Sequence, residues 1–124
     1  MASIKKLYVD GFLLPVPKKN IQAYRRISLK AGKVWREYGA LEYRECVGDD
    51  LNNKMGVSFS KMVKVKQGET VFFSWIIYKS SAQRAVINKK VMKDPRLLKM
   101  MNNKTMPFDL NRMANGGFRI LVDL

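Results

Sequence analysis

The chain of 124 residues carries 24 lysines and arginines against 10 acidic residues, contains one cysteine, Cys46, and lacks histidine. This length predicts a single domain over residues 1–124 that folds around one core without disulfides. Without histidine, nucleophile–histidine pairs and imidazole metal sites are excluded, so we expect neither a metal nor another cofactor. A lone cysteine favours a reduced, cytoplasmic protein.

The net charge of +14 admits two interpretations. Lysines and arginines crowd the outer faces of the two predicted main helices, where they can simply keep the protein soluble. The same charge attracts phosphate groups, as in a nucleic-acid-binding surface. No apolar run approaches the ~20 residues needed to span a bilayer, so we expect no membrane partner.

Period-2 and period-3.6 patterns alternate along the chain. Gly39 is placed to end a long helix whose apolar residues recur every three or four positions. Ser80 is a plausible N-cap, and Asp94-Pro95 should break the helix that follows it. The predicted elements are a strand at 7–16, a helix at 18–38, a strand at 41–47, a helical turn within 58–65, a strand at 71–78, helices at 80–93 and 95–101, and a strand at 112–124.

The order of these elements is βαββαβ, which predicts an α+β protein with a ferredoxin-like antiparallel sheet and two helices on one face. The strand at 71–78 has apolar side chains on both faces. The sheet face without helices should therefore need a cover. A second copy of the chain, docked through this face, would supply one and make a homodimer.

Two families share this order of elements. The first strand, Leu7-Tyr8-Val9-Asp10-Gly11-Phe12, resembles that of the RNA-recognition motif. That module stacks bases on a third strand that combines a basic residue, small residues and aromatic residues. Here Thr70-Val71-Phe72-Phe73-Ser74-Trp75 lacks the basic residue and both small positions, so RNA binding on the open sheet face is the alternative interpretation.

A second resemblance covers nearly the whole chain and is carried by several blocks in order. They are Tyr8-Val9-Asp10-Gly11-Phe12, Gly39-Ala40-Leu41, Glu45-Cys46, Phe59, Val63-Lys64, Phe73-Ser74-Trp75-Ile76, Tyr78, Asp94-Pro95-Arg96, Met106-Pro107-Phe108-Asp109, Arg112-Met113 and Gly116-Gly117-Phe118. Through these blocks the chain resembles the uncharacterised YbaA-like domain-of-unknown-function family. The resemblance implies the dimeric α/β-barrel fold and supplies no reaction. The chain departs from the family pattern at Ile77, where a carboxylate is expected, and in its high positive charge.

Polar residues in these shared blocks are the candidate site residues. Candidates for catalysis are Glu45, Lys64, Asp109 and Arg112, and candidates for ligand binding are Asp10, Ser74, Trp75 and Tyr78. Each also has a structural interpretation. Asp109 and Arg112 can form an ion pair that fixes the loop before the last strand, and Trp75 can anchor the core or a dimer interface. On a strand, Trp75 and Tyr78 project to opposite faces.

Glu45 is the most informative acid, because it should share a strand face with Tyr43 and Val47. If that face is interior, burial would raise the pKa of Glu45 unless Lys64 or Arg112 neutralises it. We therefore expect a homodimer that binds or transforms a small apolar or aromatic molecule, with Trp75 or Tyr78 in the pocket and Glu45 or Arg112 nearby. The ligand, the reaction, a partner for the charge and the role of Gly116-Gly117 are not readable from the sequence.

Overall fold

A computed structural model describes residues 6–101 and 106–124. Its strands are β1 (Tyr8–Pro17), β2 (Glu42–Val47), β3 (Glu69–Tyr78) and β4 (Ala114–Arg119). Its α-helices are α1 (Ile21–Glu37), α2 (Phe59–Met62), α3 (Ser81–Val91) and α4 (Pro95–Met100). The strands form one antiparallel sheet in the order β2-β3-β1-β4, which is the ferredoxin-like topology predicted from the sequence.

Local sequence signals end the helices largely where they were predicted. Gly39 follows α1 with a φ of +116°, a left-handed conformation that glycine adopts without strain. The Ser80 hydroxyl accepts a hydrogen bond from the backbone N–H of Gln83 at 3.1 Å and so caps α3. Asp94 caps α4, whose first residue is Pro95.

Helices α1, α3 and α4 cover one face of the sheet. Two groups of buried side chains lie there. One joins α1, α3 and α4 to Ile76 and Tyr78 of β3. The other joins Tyr24 of α1 to β1 and to Phe72 of β3. Phe12 packs against both groups from the middle of β1.

The opposite face is only partly covered. Phe59 of α2 lies 6.1 Å from the ring of Phe73, and that ring lies 5.5 Å from Trp75 on the same face of β3. Phe73 remains 44% exposed and Phe118 of β4 remains 61% exposed. The structure therefore has the incompletely covered apolar face that the sequence predicted.

The last strand is shorter than the predicted strand at 112–124. A 3-10 turn occupies Leu110–Arg112, and its N-cap Asp109 accepts a hydrogen bond from the N–H of Asn111 at 2.9 Å. Arg119 pairs with Tyr8, the first residue of β1, so the strand runs out of its partner at this point. One further backbone hydrogen bond follows, from the N–H of Ile120 to the carbonyl of Leu7 at 3.2 Å, and Leu121 is then 93% exposed.

Candidate functional site

A cavity of about 340 Å³ lies between the sheet and the helices that cover it. This volume is at the lower end of the ~300–1,000 Å³ typical of small-molecule sites. Five of the eight candidate site residues border it: Asp10, Glu45, Ser74, Trp75 and Tyr78. Side chains from α1, α3 and α4 close it from above.

The register of the strands aligns the side chains that form the floor of the cavity. Ser74 of β3 is paired with both Phe12 of β1 and Glu45 of β2, which places all three side chains in one row on the helix-facing side. In the next row, Ile76 lies between Asp10 and Tyr43. Because Ser74 is small, the centre of the sheet leaves space that a larger residue would fill.

A buried network of polar side chains forms one end of the cavity around Asp10, which is 6% exposed. Arg84 of α3 holds both carboxylate oxygens, with Nη2–Oδ1 at 2.8 Å and Nε–Oδ2 at 3.2 Å. Tyr78 donates its hydroxyl proton to the same carboxylate at 3.0 Å, and the amide of Asn88 donates at 3.4 Å. Trp35 donates its indole N–H to the Asn88 carbonyl oxygen at 3.0 Å. Both carboxylate oxygens of Asp10 therefore have hydrogen-bond partners.

The sequence interpretation missed Arg84 and Asn88. The helically spaced residues of α3 and its C-cap that favour a helix here, Ala82, Ala85, Val86, Lys89 and Met92, are all exposed. The face that packs inward carries Ile87 and Val91, which are 1% and 0% exposed. Their i, i+4 spacing is the signal that could have identified this face, because Arg84 and Asn88 share it.

Gly117 positions the network from β4. A Cβ atom at this position would lie 2.8 Å from a ring carbon of Tyr8, so only glycine leaves room for that ring. The guanidinium of Arg84 lies over the Tyr8 ring, 5.3 Å from its centroid. Gly117 is therefore needed for a close protein contact, and the continuous pairing of β4 with β1 shows no bulge there.

Glu45 marks the other end of the cavity, near the phenols of buried Tyr24 and half-buried Tyr43. Burial raises the pKa of Tyr24 far above its usual value, and the negative charge of Glu45 raises it further. The pKa of Tyr43 rises for the same two reasons in the same order, while the hydroxyl of Ser28, 3.2 Å from the Tyr43 hydroxyl, opposes the shift. Both phenols are consequently neutral at physiological pH.

No cation among residues 6–101 and 106–124 forms a salt bridge with Glu45. Arg44 is next to it in sequence, but it lies on the opposite face of β2 and pairs with Glu42 at 3.1 Å. Lys64 and Arg112, which we considered as neutralising partners, do not border the cavity. Glu45 thus contrasts with Asp10, which a guanidinium holds.

Methionines line much of the remaining wall. Met92, Met100, Met101, Met106 and Met113 all border the cavity, and Met92 and Met101 are about half exposed at its rim. Methionine is flexible and its sulfur makes favourable contacts with aromatic rings. This wall can therefore adjust to apolar ligands of different shape.

The other three candidates lie together outside the cavity. Arg112 does not pair with Asp109 as expected; it forms a two-pronged ion pair with Glu69, with Nη1–Oε2 at 2.6 Å and Nη2–Oε1 at 3.0 Å. It also donates to the backbone carbonyl of Lys64 at 3.0 Å. The carboxylate of Asp109 caps the 3-10 turn at Leu110–Arg112 and does not pair with Arg112. The cluster of Lys64, Asp109 and Arg112 therefore fixes the turns that flank β3 and β4.

Trp75 and Tyr78 occupy opposite faces of β3, as strand alternation requires. Tyr78 is fully buried and points toward the helices. Burial, the charge of Asp10 and the hydrogen bond to it raise the pKa of Tyr78 above its usual value. Trp75 borders the cavity from the strand while its ring packs against Phe73 on the open face.

The part of the chain that the structure describes has neither a metal-binding cluster nor a membrane-spanning helix. It contains no group of three histidine, cysteine, aspartate or glutamate side chains placed to hold a metal ion. None of its helices has the length and apolar character needed to cross a bilayer. The candidate site is the cavity with its two carboxylates, Asp10 and Glu45.

Comparison with known proteins identifies the family. Residues 7–110 match the model of a family described as protein of unknown function, DUF1428. The uncharacterized protein YbaA of Escherichia coli K12 is 40% identical over 116 residues, which span 94% of this chain and 97% of YbaA.

Solved structures share the fold at low sequence identity. A putative antibiotic biosynthesis monooxygenase from Nitrosomonas europaea superposes with a TM-score of 0.57 at 12% identity, covering 98% of this chain and 96% of the other. A dimeric ferredoxin-like protein from an uncultured marine organism gives 0.53 at 10% identity, covering 96% and 99%. These likenesses show an α+β, ferredoxin-like fold. The chain belongs to the DUF1428 family, the YbaA-like proteins, whose function is not established.

Proposed function

We propose that the cavity binds or transforms a small apolar or aromatic molecule without a metal ion. The observation that carries this proposal is the convergence of polar side chains from four elements, β1, β2, β3 and α3, on one mostly apolar cavity. A purely structural core would fill such a space with apolar side chains. These polar side chains are Asp10, Glu45, Ser74, Tyr78 and Arg84.

The two carboxylates suit different tasks. Asp10 is fixed by Arg84, Asn88 and Tyr78, so its carboxylate serves to hold these side chains in place at one end of the cavity. Glu45 has no cationic partner among the described residues and can accept a hydrogen bond or a proton from a ligand. If the protein is an enzyme, proton abstraction by Glu45 is the reaction step that the geometry supports best.

Filling the cavity tests this proposal. Ala31 of α1 is 8% exposed and borders the cavity, so Ala31→Leu should occupy ligand space. The control is Ala85→Leu, because Ala85 is exposed on α3 and does not border the cavity. Binding of a neutral aromatic probe, 2-phenylethanol, is measured by titration calorimetry on the unmodified protein and both variants.

We expect Ala31→Leu to weaken probe binding at least tenfold and Ala85→Leu to leave it unchanged. Trp35 lines the cavity and gives a second readout. Quenching of its fluorescence by the probe should persist in Trp75→Phe and disappear in Trp35→Phe. Equal binding to both alanine variants would mean that the probe binds elsewhere on the protein.

We also propose a cytoplasmic homodimer that forms through the open sheet face. Two observations support the dimer: the exposed rings of Phe73 and Phe118 on that face, and the likeness to a solved protein described as dimeric. Light scattering at high salt should give twice the chain mass. Phe73→Arg should give the monomer mass, whereas Leu98→Arg, at an exposed apolar residue of α4, should leave the dimer intact.

RNA binding on this face is the competing function. The same light-scattering experiment addresses it, because an unmodified protein that is monomeric would leave Phe73 and Trp75 available for stacking with bases. RNA affinity would then fall steeply with salt and would also fall in Phe73→Ala. Affinity that depends on salt but not on Phe73 would indicate charge attraction by the +14 surface alone.

A further inference from the structure

The charges along the cavity do not balance, and this indicates the kind of ligand it takes. We infer that the cavity selects apolar or aromatic molecules that carry a protonated amine and rejects those that carry a carboxylate or phosphate. This inference rests on the proposed small-molecule function and adds a substrate class to it. Its basis is the contrast between the two carboxylates, Asp10 and Glu45.

One of the two negative charges is already compensated. The guanidinium of Arg84 lies within 3.2 Å of both Asp10 oxygens, so Asp10 and Arg84 together contribute no net charge. The other arginine that borders the cavity is Arg44, whose side chain is 62% exposed and pairs with Glu42 on the far side of β2. Among the described residues, Glu45 is left as the uncompensated charge.

The aromatic walls of the cavity also favour a cation. Tyr24 and Phe108 form an edge-to-face pair with ring centroids 5.2 Å apart, and both border the cavity together with Trp35. Aromatic faces attract ammonium groups within about 6 Å. Tyr24 and Tyr43 stay neutral, because burial and the Glu45 charge raise the pKa of each phenol, so they contribute no competing charge.

The cavity and the outer surface of the protein differ in charge. The net charge of +14 attracts anions to the outside of the molecule. An anion that entered the cavity would meet the negative charge of Glu45, and no cation among the described residues forms a salt bridge with this carboxylate to offset the repulsion. Surface charge and cavity charge therefore have opposite preferences, and high salt suppresses mainly the surface effect.

Three probes of similar size and different charge test the inference: 2-phenylethylamine, 2-phenylethanol and phenylacetate. Affinities are measured by titration calorimetry at pH 7 and about 0.5 M salt, which screens the surface charges. We expect the amine to bind roughly tenfold more tightly than the alcohol, and phenylacetate to bind more weakly than both. Glu45→Gln should reduce the affinity for the amine to that for the alcohol.

Glu42→Gln is the matched control, because Glu42 lies on the same strand and pairs with an exposed arginine outside the cavity. It should retain the preference for the amine. Thermal melting of both variants verifies that they fold. Equal affinity for the amine and phenylacetate, or a preference for the amine that survives in Glu45→Gln, would overturn the inference. Failure of all three probes to bind, the neutral alcohol included, would instead refute the proposed function.

Discussion

Asp10 and Glu45 lie in adjacent rows on the same face of the sheet, yet their surroundings differ. Asp10 is on the central strand β1, where α3 passes overhead and supplies Arg84 and Asn88. Glu45 is on the edge strand β2, where α1 supplies a neutral phenol and a serine hydroxyl. Position in the sheet therefore decides which carboxylate the protein holds with a guanidinium and which it leaves without a cation among the described residues.

Because Asp10 has a cationic partner and Glu45 has none among the described residues, we expect Asp10 to affect stability and Glu45 to affect ligand binding. A buried charge whose hydrogen bonds are all made is costly to disrupt, because removal of one member leaves the others without partners. A carboxylate without a cationic partner contributes little to stability and can be replaced by its amide at small cost. Stability and ligand preference should therefore respond to different substitutions.

The largest expected effect follows from replacing the fixed carboxylate. Asp10→Ala removes the partner of Arg84, Tyr78 and Asn88 at once, and we expect the free energy of unfolding to fall by about 3 kcal/mol. Urea denaturation checks this value. A loss below that of Glu45→Gln would contradict the assignment of Asp10 as the structural carboxylate.

The ion pair of Glu69 and Arg112 lies outside the cavity, so its effect on stability can be compared with that of the two cavity carboxylates. Arg112→Gln should lower the free energy of unfolding by about 1.5 kcal/mol, because it removes two charged hydrogen bonds. The guanidinium holds the pKa of Glu69 below its usual value, so this stabilisation is present at neutral pH and is lost as the pH falls through the lowered pKa. Unfolding measured from pH 7 down to about pH 3 should show a smaller loss in Arg112→Gln than in the unmodified protein.

Alkaline pH tests the phenols near Glu45. The folded protein raises the pKa of Tyr43 above its value in the unfolded chain, which is near 10. The neutral phenol therefore makes its full contribution to the free energy of unfolding below about pH 10, and this contribution is lost as the pH rises further. We expect Tyr43→Phe to reduce the loss of stability between pH 9 and pH 11 by about 1 kcal/mol. If the free energy of unfolding fell identically with alkaline pH in the two proteins, the folded structure would not raise the pKa of Tyr43 in solution.

The smallest effect on stability should come from the carboxylate without a cation. Glu45→Gln keeps the shape of the side chain and breaks no salt bridge formed by the described residues, so the free energy of unfolding should change by less than about 0.5 kcal/mol. Urea denaturation measures the change. A large loss would mean that Glu45 has a structural partner and would remove the basis for its proposed role.

The sequence alone determined the order of the elements and most of their ends. Hydrophobic periodicity, Gly39, Ser80 and Asp94-Pro95 act within a few residues of their own positions, which is why they predict helices and strands from one chain. The ferredoxin-like order and the apolar open face follow from the same patterns. The expected strand at 112–124 was too long, because a strand also needs a partner and β1 begins at Tyr8.

Only the tertiary structure decided which polar residues meet. Asp10 and Arg84 are separated by 74 positions, and Glu69 and Arg112 by 43. Such pairs depend on strand register and on how a helix packs across the sheet. Local spacing can indicate the inward face of a helix, but it does not show which strand residue that face meets. The sequence therefore suggested Asp10, Glu45, Ser74 and Tyr78 as separate candidates. Packing of α3 on the sheet then fixed Asp10 with Arg84, while the edge position of β2 left Glu45 without a cation among the described residues.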